Sequence, residues 1–451
     1  MKYRELVEPL EQDMLASLQR LVKYDSRKGE PEENAPFGKV PAACLDEALQ
    51  MASEMGFSTH NLDHYCGWAE MGEGEEIIGI AAHLDIVPAG DGWDTDPFTV
   101  VRKGDRLYGR GVSDDKGAAV ASLYAMKLVR EMGVPMKRRV RLLLGTDEEC
   151  GSGCMEYYRT HGEPVTMGFT PDGNFPGIYG EKGHCSMVLK SKNTRILSME
   201  GGFVTNAVCD HCVTKIPAEV SKEALEKALA ATPLKGFTVT EEDGAFVIDA
   251  QGVAAHASTP LLGVNAASYT MKALKEAGFE DDFVNFYLDR IGTGCDGDGI
   301  GLKISDDYGP LTLNNGIVRK GEEGFECTID IRYPVTFNAA QIRAFAEPFT
   351  EDERGKVDIL AVSEPLFYPR DSVLVESLLA AWREVTGDTE LEPMVIGGGT
   401  YAQHVPGIIA FGCEMPDGDN HIHDRNESLL VEEWKMQVCV YVEAILKLLE
   451  A

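Results

Sequence analysis

At 451 residues the chain is too long for one ordinary core and calls for two domains or more. Its 44% apolar and 26% charged residues exclude a disordered class. A formal net charge of −32 repels phosphate, which argues against nucleic acid and anionic membranes as partners and in its simplest meaning describes a soluble surface.

In chain order, residues 1–26 read as an amphipathic helix, with Leu6, Leu10, Met14, Leu18 and Leu21 at helical spacing among charges. The stretch lacks a basic segment followed by a long apolar run, so it is not a signal peptide. No uncharged apolar run approaches the roughly 18–20 residues of a membrane span, and a cytoplasmic protein is expected. Four short apolar runs, 77–82, 140–144, 165–169 and 408–412, read as buried parallel strands of an α/β sheet. Between the first two, residues 116–132 form a predicted helix that Gly133 and Pro135 stop. Composition shifts after Gly180. Residues 225–231 and 266–277 read as helices, 237–248 as two strands around a turn, and 325–333 as a strand. Residues 372–385 and 432–449 are strong helices again. The predicted organisation is a discontinuous domain, 1–183 plus 370–451, with residues 184–369 inserted as a second domain long enough for two subdomains. Eleven scattered cysteines fit reduced thiols. Cys209 and Cys212 form a C-x-x-C, but the second pair needed for a structural zinc is missing.

Ligands of open α/β sheets collect past the carboxyl ends of strands. Here every candidate strand end carries a histidine or a carboxylate: His83 and Asp85, Glu148 and Glu149, Asp172, and, after a short loop, His421 and His423. Ahead of the predicted helix stand Asp114 and Asp115. An isolated Asp-Glu-Glu is most often a solvated turn, but two adjacent carboxylates ending a buried strand repel unless cations neutralise them. Mixed imidazole and carboxylate donors suit zinc, manganese or cobalt. Three carboxylates with a bridging hydroxide balance two divalent ions better than one.

The stretches His83-Leu84-Asp85-Ile86-Val87-Pro88, Gly109-Arg110-Gly111 through Asp114-Asp115-Lys116-Gly117, Thr146-Asp147-Glu148-Glu149, Thr170-Pro171-Asp172 and His423 through Glu427 together resemble the dinuclear zinc exopeptidase family of carnosinase, aminoacylase and succinyl-diaminopimelate desuccinylase. Within it they look most like the PepV-type bacterial dipeptidases. The resemblance implies an α/β catalytic domain with a mixed central sheet flanked by helices, plus an inserted α+β lid. It implies two divalent ions, zinc first, with Asp114 bridging, His83 and Asp172 completing one site, and Glu149 and His423 the other. Glu148 would be the general base, moving a proton from the metal-bridging water to the leaving amine. Asp85 would hold the far side of the His83 ring, and the Asp114–Asp115 peptide would be cis. The family pattern places the last ligand four residues before a glutamate, so Glu427 selects His423 over His421. From the lid, His256 would polarise the scissile carbonyl with help from Asn206, and Arg332 would grip the substrate carboxylate; read alone, these three are ordinary loop, turn and strand residues. Residues 397–400 could form a backbone nest or a tight turn. The long lid implies a monomer. Cys209 and Ala118 depart from the PepV-type pattern, which has proline at the first and often at the second. The implied activity is hydrolysis of short unblocked peptides. The alternatives are N-acyl amino acid deacylation or desuccinylation by the same chemistry, and, in a different class, a metal- or peptide-binding protein without catalysis.

Overall fold

The computed structural model describes residues 2–321, 324–416 and 418–451. It divides into two compact units. One comprises the chain up to Gly180, Tyr368–Met394 and Gly399–Ala451; the other comprises Glu181–Phe367 with Val395–Gly398.

The first unit is built on a mixed sheet whose spatial order is Ser58–Leu62, Cys66–Met71, Arg139–Gly145, Ile77–His83, Met167–Thr170, Ile408–Ala410 and Ile178–Glu181. The four central strands from Arg139–Gly145 to Ile408–Ala410 run parallel. Their apolar runs are buried on both faces, and Ile77–His83 is buried at every residue. The outer strands pair antiparallel. From Ile77–His83 the chain crosses through the helix Lys116–Glu131 to the neighbour on one side, then through Gly153–His161 to the neighbour on the other. Strand order therefore reverses at the carboxyl end of Ile77–His83, the place where open sheets bind ligands. The helix Val431–Glu450 packs on Lys116–Glu131 and on Val373–Thr386, and the Trp434 indole donates to the Gly117 carbonyl at 2.7 Å.

The parallel strands approach closely where Gly79 faces Gly168. A Cβ on Gly168 would lie 1.8 Å from the Gly79 carbonyl oxygen, so the backbone itself occupies that space. Gly168→Ala is expected to lower stability by about 1–3 kcal/mol, as overpacking does. Thermal denaturation checks this, and an unchanged midpoint would argue against this register.

The predicted amino-terminal helix is interrupted. Arg4–Val7 and Glu11–Val22 are helical, and Glu8–Leu10 between them is a tight 3-10 turn carrying Pro9, which lacks a donor and crowds the preceding turn. Met1, where that helix is expected to begin, lies outside the described residues. Among the described residues, no helix is long and apolar enough to cross a membrane.

The second unit is a nine-stranded antiparallel sheet in the order Gly236–Glu242, Ala245–Gln251, His211–Pro217, Ser198–Gly201, Thr312–Lys320, Phe325–Tyr333, Gly183–Ser191, Gly355–Ser363 and Glu351–Asp352. Helices Lys222–Ala230, Ala266–Glu276 and Asp282–Arg290 contribute to one continuous core with it, including Leu225, Met271, Phe283, Phe286, Ile329 and Ile331.

Candidate metal centre

The site lies entirely within the first unit, at the carboxyl ends of its parallel strands. His83 ends its strand almost fully buried. Its backbone N–H donates to Asp115 Oδ2 at 3.0 Å. Its Nδ1 faces the Asp85 carbonyl at 3.1 Å, so the neutral ring carries its proton there and turns the Nε2 lone pair into the site. Nε2 lies 2.9 Å from Asp114 Oδ1 and 3.8 Å from Asp172 Oδ2.

The Asp85 carboxylate has a second task that sequence did not reveal. Its nearer oxygen stands 3.6 Å from His83 Nδ1. Instead it accepts the backbone N–H groups of Glu148 at 3.0 Å and Glu149 at 3.1 Å, one on each oxygen. Asp85 thus holds the turn that carries both glutamates.

Asp114 precedes the helix Lys116–Glu131, and the Asp114–Asp115 peptide is cis. His423 approaches from the loop between Ile408–Ala410 and Ser428–Leu430. Its Nε2 lies 2.8 Å from Asp114 Oδ2 and 3.3 Å from Glu149 Oε1. Each oxygen of Asp114 is therefore met by a different imidazole. His421 does not join them; its Nδ1 stands 3.7 Å from Asp419. Ligand-capable atoms of His83, Asp114 and Glu149, and of His83, Glu148 and Asp172, gather within 4.8 Å of one another. Glu148 is thus within ligand reach itself.

The electrostatics fit a cation. Burial, and then the charge of Asp114, pushes the Asp172 carboxyl up to about 7. Burial and Asp172 likewise push Glu148 well above the carboxylate range. Burial would also raise Asp114, but with both rings protonated, as, against burial, these carboxylates make them without a cation, the hydrogen bonds of His423 and His83 outweigh it and hold that carboxyl far below its usual value. Four carboxylates cannot share this volume as anions without positive charge among them. Divalent ions would supply that charge, and the donor set of imidazole and carboxylate fits them.

Glu427, which the sequence pattern used only as a marker for His423, is fully buried and accepts hydrogen bonds from the Asp114 loop.

The remaining sequence candidates lie in the second unit, near one another. Ala207 and His256 form a β-bridge, and the Asn206 carbonyl accepts from Ala257 N–H at 2.8 Å. His256 Nδ1 accepts from Ser258 N–H at 3.2 Å, which places the proton of the neutral ring on Nε2. Arg332 pairs in register with Thr312, whose hydroxyl donates to the Ala257 carbonyl at 3.4 Å. Its Nε and Nη2 bind Asp330 at 2.8 and 3.1 Å, and Nη1 donates to the Gly397 carbonyl at 3.4 Å. Asp330 also meets His184 Nε2 at 3.2 Å. Burial opposes ionisation of Asp330, but His184 and Arg332 hold its carboxyl below the usual range.

The fold and the strand-end cluster together define a candidate metal centre at the carboxyl edge of an α/β sheet, and family membership makes it that of a metallopeptidase. Sequence comparison narrows this further. The chain belongs to peptidase family M20/M25/M40, whose model matches residues 79–447. It is 33% identical to "Putative dipeptidase YtjP" of Bacillus subtilis, over 97% of both chains. It is 32% identical to "Putative dipeptidase SH1171" of Staphylococcus haemolyticus, over 99% of both. Human carnosine dipeptidase 1 shares the fold, with a TM-score of 0.58 and 14% identity over 100% of this chain and 98% of that one.

Proposed function

We propose that this chain is a metal-dependent dipeptidase that hydrolyses the amide bond of short unblocked peptides. The observation that carries the reading is the convergence of His83, Asp114, Glu148, Glu149, Asp172 and His423 at the sheet's carboxyl edge, in a chain related along nearly its whole length to proteins named as putative dipeptidases. Asp114 would bridge two ions, with His83 and Asp172 on one and Glu149 and His423 on the other. Two such ions supply Lewis-acid activation of the carbonyl and of water. Asp85 fixes the turn of Glu148, and Glu148 takes the proton of the attacking water and returns it to the leaving amine. His256, with its proton on Nε2, donates to the carbonyl oxygen as it becomes negative, and Asn206 assists.

Arg332 receives the substrate carboxylate. Asp330 and Gly397 engage three of its five N–H groups, leaving two for the substrate. The reading takes zinc at both positions, a monomer and a cytoplasmic location. All eleven cysteines are free, which supports a reducing compartment.

The test is product release from a panel of dipeptides against N-acetyl and N-succinyl amino acids, with zinc, manganese or cobalt added back. Amino acid release from the dipeptides is expected. Turnover confined to the acylated set would replace this reading with deacylation.

A further inference from the structure

We propose that Glu427 is a positioning residue that fixes the backbone of Asp114 and ties the His423 loop to it, and so sets how tightly the second of the two metal ions is held. The proposal rests on the reading of Asp114 and His423 as ligands.

Glu427 is 0% exposed, yet both carboxylate oxygens are in use. Oε1 accepts from Ser113 N–H at 2.9 Å and Asp114 N–H at 3.1 Å. Oε2 accepts from Gly111 N–H at 3.0 Å and from Arg110 Nη1 at 2.8 Å. Four donors converge on one group, and only an acceptor with about four lone-pair sites satisfies them all. The backbone can present its N–H groups this way because Gly111 has φ +83°, where a Cβ would press within 3.1 Å of Ile86 and Lys116. Arg110 balances the charge. It is as buried as Glu427, donates further to the carbonyls of Pro88 and Ala89, and lies over the Trp93 ring.

These bonds join two segments far apart in sequence. On one side is the loop ending in Asp114. On the other is the loop from Asn420 to Ser428, which carries His423. A second tie, Asn420 Nδ2 to Ser113 Oγ at 3.2 Å, joins the same two segments, and Ser428 N–H closes the loop on the Asn420 carbonyl at 2.9 Å. His423 needs such support, because its side chain is about half exposed and its backbone has φ +64°. Asn426 ties the same loop to a different segment, accepting from Asp94 N–H at 2.9 Å, and leaves the link to the Asp114 loop to Glu427 and Asn420. Glu427, which itself stays out of the ligand cluster, makes most of the hydrogen bonds that hold the His423 loop against the Asp114 loop, across which His423 approaches Asp114 at 2.8 Å. His83 and Asp172 follow buried strands instead, and their position is set without it.

The test is titration of metal-free protein with Co2+, followed by calorimetry and by visible absorption. Wild type is expected to take two Co2+ per chain. In Glu427→Gln, an amide –NH2 faces donors in place of an acceptor. The second Co2+ should then bind about 10–100-fold more weakly, the usual effect of losing a group that orients a ligand; the first shares Asp114 but keeps His83 and Asp172 on their strands, and should weaken less. If that variant fails to fold because Arg110 is left as a buried unpaired charge, the double variant Arg110→Met/Glu427→Gln removes the charge and should show the same split. Two wild-type affinities in either variant would overturn the proposal, as would equal weakening of both sites in step with a lower melting temperature. Asp114→Ala is the separate control. Wild-type Co2+ binding by Asp114→Ala would refute the ligand reading. A defective Asp114→Ala beside a normal Glu427→Gln refutes only the role of Glu427.

Discussion

Replacing Glu148 with Gln is expected to reduce kcat about 10²–10⁴-fold, the usual contribution of a general base, while two metal ions remain bound. The exchange conserves shape and removes only the proton acceptor. The backbone N–H of Glu148 should stay on Asp85, since that bond does not involve the side chain. Steady-state kinetics with metal analysis of the same preparation checks both halves. Wild-type turnover would remove Glu148 from the mechanism. Loss of metal would show that its carboxylate acts as a ligand, which its closeness to His83 and Asp172 permits.

Removing metal should act on stability as well as turnover. Asp114, Glu148, Glu149 and Asp172 crowd two imidazoles in a largely buried volume, and burial with mutual charge already pushes Asp172 up to about 7. A chelator should abolish hydrolysis. Adding zinc at about a hundredfold above its dissociation constant should stabilise the folded state by roughly 2.7 kcal/mol. In a chain of this size that corresponds to a rise in melting temperature on the order of 3 °C. Differential scanning fluorimetry with and without chelator reads the shift. If neither melting temperature nor activity responds to chelation and restoration, the cluster is not a metal centre.

Much of this site was legible in the sequence because its geometry is largely one-dimensional. A short apolar run that must be a buried strand ends at a fixed edge of the sheet, so His83, Glu148, Glu149 and Asp172 can be placed from their positions just beyond the apolar runs. The same logic found the helix after Asp114, which is observed as Lys116–Glu131. What stayed hidden depends on partners distant in sequence. Nothing near Asp85 says that its carboxylate will receive two N–H groups from more than sixty residues away. Nothing near Glu427 announces four donors around Arg110 and Asp114. The helix Gly153–His161 and the strand Cys66–Met71 were missed because polar residues blur their periods. Pro9 was visible, but the heptad-like leucines around it outweighed its effect.

The discontinuity of the first unit bears on how the protein is made. Asp172 leaves the ribosome before the second unit, and His423 leaves only after it, some 250 residues later. At about 5–20 residues per second, this separates them by roughly 10–50 s. For that interval His83, Asp114, Glu149 and Asp172 are already synthesised while their last imidazole and the buried Glu427 are not. A nascent chain can thus assemble part of this cluster, but on the proposed assignment of His423 its donor set is complete only once the stretch from Asn420 to Ser428 has folded back onto the Asp114 loop.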